Sequence, residues 1–151
     1  MSATIIDYWQ SEDYISAYFG TPVVRKSLPG EARTDQLVLR KLGFRGLTRL
    51  RQFQREYQGG WGEGEGKPLS PKAVRVLFHF LEASTFADSI VPSIFLSETG
   101  SLGLAWEDRK GNSIEVTISG NSIDYFTERD GKEESVAADR VQGLAHTLSS
   151  L

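Results

Sequence analysis

From residue 93 to residue 128 apolar and polar residues alternate one by one, and this pattern restricts the fold more than any other feature of the chain. The segments SIFLS, SLGLAWE, SIEVTIS and SIDYFTE are parted by ETG, DRKGN and GN, turn formers that join strands running in opposite directions. Alternation places Leu102, Leu104 and Trp106 on one side of their strand. Ile114, Val116 and Ile118 fall on the same side of the next, and Ile123 and Tyr125 on that of the third. The other side receives Gly103, Ala105, Glu107, Glu115, Thr117, Asp124 and Glu128. A sheet that is oily on one face and acidic on the other is covered on one side only.

The cover is written upstream. Ser70 suits an N-cap, Pro71 the first helical position, and no breaker follows before Ser84. Lys72, Arg75, His79 and Glu82 form a narrow polar stripe, while Val74, Val76, Leu77, Phe78, Phe80 and Leu81 occupy most other directions. The spacing therefore predicts a helix over 71–83 buried on most sides. Two further helical pieces precede it, separated by Gly43 and Gly46. Thr34 suits a cap to the first, which carries Leu37, Val38 and Leu42; the second carries Leu47, Leu50, Phe53 and Tyr57. The tail returns to helical spacing through Val141, Leu144, Ala145 and Leu148, with Gly143 against it.

These elements predict a single α+β domain, an antiparallel β-meander of four or five strands covered on one face by helices. Its parts are an N-terminal aromatic arm and loop (1–33), a helical part (34–91), the meander (92–138) and a C-terminal helix (139–151). Within the arm, residues 11–19 read as a short helix, with Tyr8, Trp9, Tyr14, Tyr18 and Phe19 as a packing arm or a partner-binding patch. A chain of 151 residues with 39% hydrophobic content buries a core without staples, and it has no cysteine with which to make them. Thiol catalysis and cysteine-bound metals are excluded on the same ground. The start lacks a signal-peptide pattern, and no run approaches the roughly 18 apolar residues of a membrane span, so a cytoplasmic setting is expected.

Charge is distributed unevenly. Residues 25–56 carry nine Lys/Arg against three Asp/Glu, whereas residues 92–151 carry five against ten. The stretch LVLRKLGFRGLTRLRQFQREY offers Arg40, Lys41, Arg45, Arg49, Arg51 and Arg55 to a nucleic acid, with a helix, a glycine turn and a helix. A helix-turn-helix fits poorly: counted from Gly43, its buried positions fall on Arg49 and Gln52, while Leu50 and Phe53 come one residue late.

The segment EYQGGWGEGEGKPLSPKAV sets five glycines around Trp61. A phosphate loop requires Gly-Lys-Ser/Thr with a glycine five residues before the second glycine, but Gly66-Lys67 is followed by Pro68 and preceded at that distance by Trp61. A hinge fits better, with Gly59 and Gly60 ending the helix and Trp61 either docked on the core or offered to a partner. His79 and Glu82 share a helical face but lack a third metal ligand. His146 has no identifiable triad partners, and Glu107 and Asp108 point to opposite faces as neighbours on a strand. No cofactor, metal or catalytic set is therefore assigned.

The run GGWGEGEGKPLSPKAVRVLFHFLE, then Pro92 and SETGSLGLAWEDRKGNSIEVTISGNSIDYF, resembles a group of small, uncharacterised bacterial proteins. Trp61, Ser70, Pro71, Pro92, Gly100, Trp106, Glu107 and Tyr125 carry the likeness, which covers residues 56–126. Glu63 and Glu65 depart from it, standing where such proteins have Asn and an aromatic. The resemblance implies an antitoxin-like accessory protein encoded beside a second small protein, and binding in preference to catalysis. The expectation is thus a non-enzymatic protein binder, an antitoxin or defence-related inhibitor. Trp9, Tyr14, Tyr18 and Trp61 serve as its anchors, and Glu107, Glu115, Asp124 and Glu128 steer a basic partner. The alternatives are a nucleic-acid-binding regulator acting through residues 40–55 and, behind it, a hydrolase using an unrecognised carboxylate.

Overall fold

The structure is a computed structural model that describes residues 29–151, apart from Gln58, Glu63 and Glu65. The expected helix over 11–19 and the aromatics Tyr8, Trp9, Tyr14, Tyr18 and Phe19 lie outside the described residues. Residues 34–151 cluster as one unit; of the unit before it, only the start of a helix at 29–33 is described.

Five strands form one antiparallel sheet in sequence order: β1 (Ser93–Leu96), β2 (Leu102–Glu107), β3 (Ser113–Ile118), β4 (Ser122–Thr127) and β5 (Lys132–Ala137). The register aligns the apolar positions across strands, as one-sided burial requires. Leu96, Leu102, Ile118, Ile123 and Val136 form one row, and Ile94, Leu104, Val116 and Tyr125 the next. Leu104 and Val116 are fully buried, while Glu115 and Asp124 on the opposite face are exposed. The expected two-faced meander is the observed one.

Helix α1 (Pro29–Glu56) is broken at Gly43, whose φ of 73° and ψ of −176° leave the helical region. Gly43 therefore separates two helical pieces as expected, whereas Gly46 continues the second. The first piece is already helical from Pro29, the first described residue, so Thr34 lies inside it and does not cap it. Leu37, Val38 and Leu42 are buried from one piece and Leu47, Leu50 and Phe53 from the other.

Helix α2 (Pro71–Ala83) follows the sequence reading to the residue. Ser70 Oγ accepts from Ala73 N at 3.3 Å and Pro71 opens the helix. Ala73, Val76, Leu77, Phe80 and Leu81 are buried, and the helix packs on β2, β3 and the C-terminal helix α3 (Val141–Ser149). Each large apolar side chain so enclosed is worth about 1.5–3 kcal/mol relative to exposure. Burial is less complete than the pattern suggested, since Val74 and Phe78 stay half-buried and Val74 opens onto a surface cleft. Trp106 closes one end of the core, with Phe86 at 5.0 Å and Phe80 at 6.3 Å, both edge-to-face.

The C-terminal ends of α2 and α3 are tied by hydroxyls. Ser149 Oγ accepts from Thr85 N at 2.7 Å, and Lys41 Nζ donates to Ser84 O at 2.8 Å. A cation at the C-terminal end of α2 also opposes the helix dipole. Among the described residues, no helix is long and apolar enough to cross a membrane.

Candidate functional site

Three surfaces carry the residues singled out by sequence. The first is the glycine loop. Helix α1 ends at Glu56, before Gly59 and Gly60, so those glycines do not terminate it. Gly60, Gly62 and Gly64 instead take φ of 90°, 65° and 93° within a loop closed on itself. Gly60 N donates to Gly66 O at 2.8 Å and Gly66 N to Trp61 O at 2.7 Å. Two N–H groups that a phosphate cradle needs are thereby spent.

Trp61 folds over Gly66, where a Cβ would collide with its ring, and its Nε1 donates to Lys67 O at 2.6 Å. Tyr57 meets the indole edge-to-face at 5.1 Å, and Phe53 meets Tyr57 at 5.6 Å. The indole thus docks on its own loop and on the end of α1, and remains half-buried. Beside it Gln54, Tyr57, Pro68, Leu69, Pro71 and Val74 line an open cleft of about 340 Å³. The approach to α2 is anchored to the β1–β2 turn, with Lys67 N donating to Glu98 O at 2.8 Å and Ser70 N to Gly100 O at 3.0 Å.

The basic stretch of α1 is the second surface, and half of it is used internally. Lys41 bonds Ser84 O, and burial, aided by Arg40, holds its ammonium below the usual lysine range. Arg49 Nε donates to Ile94 O at 2.9 Å, capping the free side of β1, while its guanidinium lies 5.5 Å from the Phe53 ring centre. Arg51 pairs with Asp35, and Arg55 lies 3.6 Å from Glu56. Arg40, Arg45, Arg49 and Arg55 are all exposed.

The outer face of the sheet is the third surface. Strand parity puts Phe95, Gly103, Ala105, Glu107, Glu115, Thr117, Asp124, Phe126, Glu133 and Ser135 on it. Glu128 continues the alternation, its N–H bonding Ser113 O at 2.9 Å. The three carboxylates predicted within the meander, Glu107, Glu115 and Asp124, are thus brought together with Glu128 on one face, while Trp61 belongs to the loop elsewhere. None of the strand positions pointing outward holds Lys or Arg. Four members went unnoticed in the sequence, Phe95, Phe126, Glu133 and Ser135. Counting by twos from Asp124 reaches Phe126, but only the register of β5 brings Glu133 beside it.

Asp108 and Tyr125 serve the fold. Asp108 is buried and accepts from Lys110 N at 2.8 Å and Asn112 N at 2.9 Å through Oδ1, closing the β2–β3 turn. The bond from Asn112 N is the largest of several that hold its carboxyl below the usual range, against the opposing effect of burial. Tyr125 donates to Glu134, its partner across the β4–β5 pair, and that bond raises the phenol. His79 Nδ1 stands 3.9 Å from Glu82 Oε1, beyond hydrogen-bond distance. Among the described residues no three His, Asp or Glu side chains converge to hold a metal ion. No family model, curated protein or solved structure matches the chain.

Proposed function

We propose that this chain is a non-enzymatic protein-binding protein, of the antitoxin or inhibitor kind, that takes a basic partner on the outer face of its sheet. One observation carries the reading: five carboxylates, Glu107, Glu115, Asp124, Glu128 and Glu133, share a face with Phe95 and Phe126, and no cation stands among the strand positions there. Carboxylates speed encounter with a basic surface, and aromatics give the docked pair apolar contact. Trp61 is a weaker anchor than the sequence suggested, because its Nε1 and one edge are already engaged.

The tagged full chain, incubated with extract of its native host at low salt, is expected to retain one small basic protein in stoichiometric amount. The triple variant Glu107→Gln, Glu115→Gln, Asp124→Asn is expected to lose it. Retention of the same protein by the variant would assign binding to another surface, and absence of any partner would remove the reading.

The alternative, nucleic-acid binding by residues 40–55, draws on Arg40 and Arg45, since Arg49 and Arg55, although also exposed, are already engaged by Ile94 O and Glu56. Two phosphate contacts give a salt slope near −1.8, so affinity for a DNA duplex falls only about tenfold between 50 and 200 mM salt; six contacts would cost over a thousandfold. A steep measured slope abolished by Arg40→Ala with Arg45→Ala would favour this alternative.

A further inference from the structure

Phe126 occupies a particular place on the outer face. Glu115 of β3 and Glu133 of β5 stand directly opposite it on either side, while Asp124 precedes it and Glu128 follows it by two residues. In a sheet, side chains directly opposite begin about 5 Å apart, and those two residues along a strand about 7 Å apart. A half-buried phenyl is therefore bordered on four sides by exposed carboxylates.

No ion pair among the described residues involves any of the four. Held around one ring, they repel one another until a cation is placed between them. A metal ion does not suit the place, because the ring keeps the carboxylates apart and no three of them converge. An ammonium brings its charge and three donors to a single point and reaches few of them. A guanidinium is planar, lies flat on a phenyl face and directs five N–H donors outward in its own plane.

We propose that the face around Phe126 receives an arginine side chain of a basic partner protein, stacked on the ring and bonded outward to the surrounding carboxylates. This rests on the protein-binding reading and names its anchor. Phe95, 36% exposed on the same face, supplies apolar contact beside it. An arginine seated at the centre of a docked patch is the type of residue that dominates binding energy.

The test uses the full chain, isotope-labelled for NMR, and three peptides that alternate Ser with Arg, Lys or citrulline. The Arg peptide is expected to shift the signals of Glu115, Asp124, Phe126 and Glu133, and to bind roughly threefold or more tighter than the Lys peptide. Citrulline, lacking charge, is expected not to bind. Phe126→Leu, which keeps apolar volume, should weaken the Arg peptide roughly three- to fivefold. Glu115→Gln with Glu133→Gln should weaken it further, and these exposed substitutions leave the remaining spectrum as a check on folding.

Shifts centred elsewhere, equal affinity for Arg and Lys peptides, or an unaffected Phe126→Leu variant would overturn the proposal. If the peptide criteria fail while a host partner is still retained and is lost from the Glu107, Glu115, Asp124 variant, the anchor falls and the protein-binding reading stands. If the peptide criteria hold and no host partner exists, the anchor stands and that reading falls.

Discussion

Asp108 and two glycines show how single residues fix the scaffold behind the acidic face. The Asp108 carboxylate is held by N–H groups that favour its charged form, so its folded pKa lies below the unfolded one. The stability it contributes is full above the unfolded value of about 4 and is lost as pH falls through the folded value. Urea unfolding should therefore separate wild type from Asp108→Asn at neutral pH, with the two midpoints converging in acid. Gly100 and Gly103 make a contrasting pair. Gly100 has φ of 81° and a Cβ there would strike Pro68 O, a backbone atom, whereas a Cβ at Gly103 would meet only the movable ring of Phe95. Gly100→Ala is expected to cost about 1–3 kcal/mol and Gly103→Ala less than about 1 kcal/mol in the same assay.

At the scale of elements, what is local was legible and what is tertiary was not. The cap and proline of α2 lie within four residues of sequence, and Ser70→Ala should cost about 1 kcal/mol of unfolding free energy, read from the denaturation midpoint. The meander was readable because a period of two needs only neighbouring residues. By contrast, Lys41 and Arg49 bond to carbonyls 43 and 45 residues away, which no spacing within α1 announces. Their count in the basic stretch thus overstated the charge left for a ligand. The two sheet edges differ in the same way. Arg49 caps β1, whereas β5 is guarded by its own Lys132, Glu133 and Glu134, charges that discourage pairing with a second copy. Lys132→Val with Glu134→Val should produce concentration-dependent association in sedimentation velocity, where wild type gives none through this edge.

Across the whole molecule, the charge division seen along the chain survives folding only in part. Half of the basic stretch, Lys41, Arg49 and Arg51, is bonded within the fold, while the acidic strand residues collect on the outer sheet face because the opposite parity is committed to the core. The central claim is that this outer face, and not the exposed arginines of α1, meets the partner. Photocrosslinking in the native host tests it most directly, with benzoylphenylalanine placed at position 126 in one chain and at position 45 in another. The account predicts a covalent adduct of a single mass from position 126 and none from position 45; an adduct from position 45 alone would contradict it.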